Sequence, residues 1–158
     1  MTERVSRKVA LTELKRLASG SGVRACLEFL NGLTSHRFTA LYRFDNTKLK
    51  NLFFFDRQHP EQMSSPEVPV LSSYCVFVRD SGQMFCVDDS QLDDRTIGHP
   101  KRLEIRTYIG VPLLDDEGKM FGTICHFDVD PRRINPEDVD LMEQLAGMLQ
   151  EQVGKLEN

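Results

Sequence analysis

The sequence has no long apolar run, no signal-peptide pattern and few cysteines. Residues 1–10 are charged, and no stretch approaches the roughly 20 apolar residues that a membrane-spanning helix needs. The four cysteines are widely spaced and form neither a CxxC pair nor a zinc-type cluster with histidine: Cys26, Cys75, Cys86 and Cys125. These absences predict a cytoplasmic protein with reduced, mostly buried thiols.

The sequence also lacks an excess of positive charge and any internal repeat. It has 20 Lys and Arg against 24 Asp and Glu, which gives a net charge of -4. A nucleic-acid surface needs clustered basic residues in excess, so we expect no nucleic acid among the partners. Since the sequence has no run long enough to span a membrane, we expect no membrane among them either. The 158 residues, 40% of them hydrophobic and 28% charged, fit one globular fold.

A hairpin between residues 107 and 128 is the most informative stretch. Two runs rich in Ile, Val, Thr, Phe and Tyr flank a polar turn that ends in Gly118. If Asp116–Gly118 form a three-residue loop with Gly118 in the left-handed region, Asp115 pairs with Lys119. This register predicts that the odd-numbered positions share one face: Thr107, Ile109, Val111, Leu113, Phe121, Thr123, Cys125 and Phe127.

Both faces of this hairpin are mostly apolar, so we expect layers on both sides of the sheet. The odd face mixes bulky groups with Thr and Cys and suits a cavity. The even face, with Tyr108, Ile124 and His126, carries Gly110 and Gly122, whose lack of side chains would let helices approach the backbone.

The remaining segments predict an α+β fold with a central antiparallel sheet. Residues 1–20 indicate an N-terminal helix, a possible dimer or linker helix, and residues 21–158 the main domain. Strands are expected within residues 36–44 and 51–56, and a cover, partly helical, over residues 90–106. Asn135 and Pro136 predict the start of a last helix, with an apolar stripe from Leu141 to Leu156.

In their order and spacing, several short motifs resemble the GAF domain family of regulatory modules. The resemblance covers about residues 21–153, and a PAS domain is the rival at the level of the fold. Its specific parts are Ser73-Tyr74-Cys75, Val87-Asp88-Asp89, His99-Pro100, Tyr108-Ile109-Gly110-Val111-Pro112-Leu113, Gly118, Gly122-Thr123-Ile124-Cys125, Asp128 and Pro131-Arg132. The resemblance implies terminal helices on one face of the sheet and a ligand pocket under loops on the other.

The special chemistries of that family match this sequence poorly. It has no NKFDE-type succession, as in members that bind cyclic nucleotides. The segment before the hairpin has His99 but no cysteine, so a covalent bilin is disfavoured. Cys75 and Cys86 do not sit in the motif of members that reduce free methionine sulfoxide, and the cofactor stays unknown.

Candidate ligand-binding residues follow from the predicted cavity face and from polar residues near it. Each has a competing interpretation: packed core for Cys75 and Cys125, a local cap for Asp89 and a structural histidine for His99. The candidates are Cys75, Asp89, His99, Thr107, Ile109, Val111, Thr123, Cys125 and Phe127.

Three functional hypotheses remain. The first is a non-enzymatic sensor that binds an unidentified small molecule and passes the bound state through its terminal helices, which also suit a homodimer. The sequence up to Asn158 contains no output domain, so we expect such a sensor to act on a separate signalling protein or to be a stand-alone member of its family. The second is a thiol-dependent reductase of the free methionine sulfoxide type, using Cys75 or Cys125. The third is a dimerisation module without a ligand.

Overall fold

The computed structural model describes residues 5–152, and Val153 and Leu156 of the predicted last stripe lie outside this range. One antiparallel sheet of six strands divides two layers. The predicted fold class is confirmed. The elements are α1 (Arg7–Ser19), α2 (Val23–Leu33), β1 (Phe38–Asp45), β2 (Lys48–Asp56), β3 (Val68–Pro69), α3 (Cys75–Ser81), β4 (Phe85–Val87), β5 (Thr107–Leu114), β6 (Met120–Asp128) and α4 (Pro136–Gln150). The strands lie in the order β3-β2-β1-β6-β5-β4 across the sheet.

Helices α1, α2 and α4 cover one face of the sheet. Their apolar stripes pack with sheet residues in one buried cluster, whose largest side chains include Leu14, Leu27, Leu30, Leu41, Ile109, Ile124, Met142 and Leu145. Helix α4 begins as predicted, because the Asn135 side chain accepts a hydrogen bond from the Glu137 N–H and Pro136 occupies the first turn. None of the helices within residues 5–152 is long and apolar enough to cross a membrane.

The opposite face carries a second buried cluster, formed with α3 and the loops around it. It contains Ala40, Tyr42, Leu49, Phe54, Val70, Tyr74, Cys75, Val78, Phe85, Tyr108 and Cys125. The cover over residues 90–106 is partly helical, as predicted, with short 3₁₀ turns at Ser90–Leu92 and Asp94–Thr96. Its two ends are joined where the Ser90 hydroxyl donates to the carbonyl oxygen of Arg102 at 2.6 Å.

The β5–β6 hairpin has the predicted loop but not the predicted faces. Gly118 has a φ of 81°, and the Asp115 N–H donates to the Lys119 carbonyl oxygen at 2.7 Å. Beyond the loop, Leu114 pairs with Met120 and Leu113 with Gly122. Phe121 is therefore an extra residue, a β-bulge that reverses the facing of β6 relative to β5.

The bulge makes the prediction wrong for β5. Ile109 and Val111 lie in the core beneath the helices, whereas Tyr108 lies in the cluster on the opposite face. The glycines do not face the helices either: a Cβ at Gly110 would collide with the Tyr108 ring, and one at Gly122 with the main chain of Tyr42. In β6 the prediction is also wrong for Phe121, which packs with the helix-side core, but it is right further along the strand, since Ile124 packs with the helices and Cys125 lies on the other side.

Candidate functional site

A cavity of about 270 Å³ lies between the sheet face that carries α3 and the loops above that face. We call it the aromatic cavity, because six of its sixteen lining residues carry aromatic rings. The lining residues are Phe38, Tyr42, Leu49, Phe54, Ser65, Pro66, Val68, Ser72, Ser73, Tyr74, Lys101, Glu104, Ile105, Tyr108, Cys125 and Phe127. Sheet strands, the 65–74 loop and the cover thus each contribute part of the wall.

The sheet side of the cavity is built by strand alternation. Phe38 of β1 stands opposite Phe127 of β6, and their rings stack with centroids 4.8 Å apart and an interplanar angle of 19°. The Phe54 ring of β2 lies 5.8 Å from Phe38. This continuous aromatic surface follows from residues at alternate positions on neighbouring strands.

The loop side is tied together through Tyr74. Its hydroxyl donates to the carbonyl oxygen of Ile105 in the cover at 2.9 Å, and its ring lies 4.6 Å from the His99 ring. His99 Nε2 donates to the carbonyl oxygen of Ser73 at 3.1 Å, while Nδ1 accepts the Lys101 N–H at 3.0 Å. Nε2 therefore holds the cover to the 65–74 loop and Nδ1 fixes the backbone of the cover itself, so both ring nitrogens serve local structure, which supports the structural interpretation of His99.

Cys75, at the start of α3, lies behind the cavity wall and is surrounded by hydrogen-bonding groups. Its Sγ is 3.1 Å from the Tyr108 hydroxyl and 3.2 Å from Thr123 Oγ1. Burial by itself raises the pKa of the Cys75 thiol, but hydrogen bonds from Cys125, Ser73, Thr123 and Tyr108 outweigh it and lower the pKa below its ordinary value. Burial and the neighbouring Cys75 raise the pKa of Cys125, so Cys75 is the member of this pair that ionises first.

The structure separates the predicted site residues into groups. Cys125 and Phe127 line the cavity, and Cys75 and Thr123 lie directly behind it. His99 braces the loops above. Ile109 and Val111, placed in the cavity by the sequence prediction, lie instead in the helix-side core because of the bulge at Phe121.

Two further predicted residues serve local structure away from the cavity lining. The Asp89 side chain accepts the Gln91 N–H at 3.1 Å and pairs with Arg106 at 2.9 Å, which is the capping role that competed with ligand binding. Hydrogen bonding from Arg106 holds the pKa of this carboxyl below its ordinary range. Thr107 Oγ1 donates to the Asp130 carbonyl oxygen at 2.8 Å and fixes the connection after β6.

The prediction missed most of the aromatic wall, including Tyr42, Tyr74 and Tyr108. One signal was present, because Phe38, Ala40, Tyr42 and Phe44 alternate along β1 and share a face. The sequence has three tyrosines and no tryptophan, and all three tyrosines line the cavity. Within residues 5–152, no group of three His, Cys, Asp or Glu side chains is placed to hold a metal ion.

Solved structures with similar folds come from several kinds of protein. The GAF domain of an Acinetobacter phosphoenolpyruvate-protein phosphotransferase has a TM-score of 0.77 at 10% identity, covering 99% of this chain and 97% of that one. The free methionine-R-sulfoxide reductase of Neisseria meningitidis, solved with its substrate, has a TM-score of 0.74 at 14% identity with the same coverage, 99% and 97%. A putative GAF sensor protein of Burkholderia vietnamiensis has a TM-score of 0.70 at 17% identity, covering 98% of this chain and all of that one.

At these identities the likeness shows a shared fold and leaves the activity open. No curated protein sequence matches the chain. The sequence model of the GAF domain matches residues 8–153, which is most of the chain. Together with the six-stranded antiparallel sheet between terminal helices and a loop-covered cavity, this match shows that the chain belongs to the GAF domain family.

Proposed function

We propose that this domain is a non-enzymatic sensor that binds a small molecule in the aromatic cavity and changes its interaction with a signalling partner. The observation that carries the proposal is the cavity itself, walled by aromatic side chains on the sheet and roofed by the cover. Mostly apolar concave sites with a few polar groups are typical of small-molecule binding. Four free thiols and the absence of a cysteine-rich framework support a reducing, cytoplasmic setting.

Strand β6 gives the cavity a direct connection to the helices. Cys125 and Phe127 face the cavity, whereas the adjacent Ile124 packs in the helix-side core. If a ligand binds one conformation of β6 and the cover more tightly than another, it raises the population of that conformation in both segments. Helices α1 and α4, which pack against each other on the far face, would carry that shift to a partner or to a second copy of the chain.

A cavity-filling substitution tests the proposal. Ser72 lines the cavity from the 65–74 loop, and Ser72→Phe is expected to occupy its space. In a metabolite screen by thermal unfolding, a ligand present at 100 times its Kd stabilises the wild type by about 2.7 kcal/mol. This corresponds to a rise in Tm of about 5–10 °C for a domain of this size.

We expect this rise to disappear in Ser72→Phe and to persist in Ser64→Phe, the same change at an exposed position outside the lining. Equal stabilisation of both variants would place binding elsewhere. A library without any stabilising compound would favour the ligandless dimerisation module.

A second candidate, the thiol-dependent reductase, is supported by the lowered pKa of Cys75 and its contact with Cys125. In this reaction the sulfoxide oxygen passes to Cys75, giving methionine and a sulfenic acid. The Cys125 thiol then forms the disulfide with release of water, and an external thiol reduces it. The sensor is preferred because Cys75 has no exposed surface and is absent from the cavity lining.

The reductase candidate predicts turnover of free methionine sulfoxide with dithiothreitol. Turnover should be lost in Cys75→Ser and slowed in Tyr108→Phe, because the Tyr108 hydroxyl is one of the groups that lower the pKa of Cys75. Cys26→Ser is the matched control, since Cys26 lies in the helix-side core. Absence of turnover in the wild type, with no Cys75–Cys125 disulfide after peroxide treatment, would exclude this candidate.

A further inference from the structure

The interior of the aromatic cavity offers rings rather than hydrogen-bonding groups. Phe38, Phe54 and Phe127 form the sheet side, and Leu49, Val68 and Ile105 complete the apolar wall. Aromatic groups gain from offset stacking or edge contacts with such rings beyond the area that they bury. A flat ring system therefore fits this wall better than a flexible polar molecule.

The volume limits the size of the occupant. At about 270 Å³, the cavity lies just below the range of about 300–1,000 Å³ typical of pockets for drug-sized ligands. One ring or two fused rings with a short side chain suit this space.

Three of the lining hydroxyl groups are already engaged with the protein, whereas the Tyr42 hydroxyl has only a weak contact, with Ser65 Oγ at 3.5 Å. The Tyr74 hydroxyl donates to Ile105, the Tyr108 hydroxyl donates to Cys75, and Ser73 Oγ accepts the Cys75 N–H at 3.1 Å. A ligand with several polar groups in its deep part would leave them without partners, at a cost in binding free energy.

The charged members of the lining, Lys101 and Glu104, belong to the cover. Their side chains are 39% and 63% exposed, and Lys101 Nζ lies 2.7 Å from Glu104 Oε2. Exposed ion pairs contribute little stability, so Lys101 can exchange Glu104 for another carboxylate at small cost. Lys101 is also the less exposed of the two.

We propose that the aromatic cavity selects a flat aromatic monocarboxylate of one or two rings. Its ring system would lie against Phe38, Phe54 and Phe127, and its carboxylate would replace Glu104 at the Lys101 ammonium. This assignment rests on the proposed sensor function and names the class of its ligand.

Isothermal titration calorimetry with related probes tests this class. Indole-3-acetate supplies the ring and carboxylate, tryptamine replaces the carboxylate with an ammonium, L-tryptophan carries both charges, and cyclohexylacetate keeps the carboxylate without aromaticity. We expect indole-3-acetate to bind at least about tenfold more tightly than tryptamine or cyclohexylacetate, because neither of these two combines ring stacking with a charge-assisted contact to Lys101.

Two substitutions in the cover should act in opposite directions on indole-3-acetate. Lys101→Gln removes the cation and should weaken binding about fivefold or more. Glu104→Gln removes the competing carboxylate and should strengthen binding a few-fold. Lys119→Gln, at an exposed lysine in the hairpin loop, should leave the Kd unchanged.

Several results would overturn the assignment. One is tighter binding of tryptamine than of indole-3-acetate, and another is binding of cyclohexylacetate as tight as that of indole-3-acetate. A third is that L-tryptophan binds more tightly than indole-3-acetate and loses affinity in Glu104→Gln, which would indicate a zwitterionic ligand. If no probe binds while another compound stabilises the wild type but not Ser72→Phe, the ligand class is wrong and the sensor function stands. If no compound binds in the cavity at all, both fail.

Discussion

Asp56→Ala should lower the free energy of unfolding by about 3 kcal/mol, because it leaves a cation without its buried partner. Arg37 Nε and one terminal nitrogen each lie 2.9 Å from a carboxylate oxygen of Asp56, a two-point contact. Asp56 is 2% exposed and the Arg37 side chain 22% exposed. The pair joins the start of β1 to the end of β2, where Phe38 stands opposite Asp56.

The same hydrogen bonds from Arg37 hold the pKa of Asp56 below its ordinary value. The carboxylate therefore stabilises the fold above the unfolded-state pKa near 3.8, and this stabilisation is lost as the pH falls through the folded-state pKa. Urea unfolding at pH 7 measures the effect. Asp45→Ala is the matched control, because Asp45 pairs with Lys50 at 2.9 Å with both side chains about 40% exposed.

The control substitution Asp45→Ala should lower the free energy of unfolding by less than about 1 kcal/mol. If Asp56→Ala costs no more than Asp45→Ala, the two-point contact contributes no more than a surface ion pair. An unchanged pH dependence in Asp56→Ala would contradict the account in the same way.

The second large effect is a loss of stability in mild acid through His36. This side chain has no exposed surface, its Nδ1 is 2.7 Å from Thr34 Oγ1, and Nε2 has no partner among the described residues. Its ring stacks on that of His126 at 5.9 Å. The pKa of His36 is lowered from 6.5 to about 4, chiefly by burial. The negative charge of Asp128 opposes this shift, whereas the positive charges of Arg132 and Arg57 add to it.

Between pH 6.5 and pH 4 the unfolded chain therefore binds a proton at His36 that the folded protein does not. The free energy of unfolding falls as the pH falls through this window, by about 3 kcal/mol in total for this one group. His126 has its pKa lowered for the same reason, burial, and adds to the slope.

Urea unfolding at several pH values between 4 and 7 checks this prediction. His36→Asn keeps a polar contact available to Thr34 but does not titrate, so its stability should depend less steeply on pH than that of the wild type. His59→Asn changes an exposed histidine, 58% exposed, and should keep the wild-type slope. Identical slopes for wild type and His36→Asn would show that His36 is protonated in the fold.

Local signals in the sequence were sufficient for the helices and for most of the strands. The left-handed Gly118, the Asn135 cap before Pro136 and the alternation along β1 depend on residues close in the chain. Their chemistry therefore predicts their structure without knowledge of distant contacts. The α+β class and the two covered faces of the sheet followed from the same patterns.

Local signals could not show which residues of β5 face the cavity and which face the helices. The extra residue at Phe121 is accommodated by pairing of β6 with β1 as well as β5, and that pairing is decided by distant contacts. One inserted residue moved Tyr108 to the cavity and Ile109 to the helices. The hydrogen-bonding groups around Cys75 could not be predicted for the same reason, since Tyr108 and Thr123 are 33 and 48 residues away from it in the sequence.

The central claim, that the aromatic cavity is a small-molecule site, can be tested by NMR on protein labelled with [¹³C]tyrosine. The sequence contains three tyrosines, and Tyr42, Tyr74 and Tyr108 all line the cavity. A compound that raises the Tm should shift these ring signals in a saturable manner in the wild type and leave them unshifted in Ser72→Phe. Stabilising compounds that leave all three tyrosine signals of the wild type unmoved would contradict the claim.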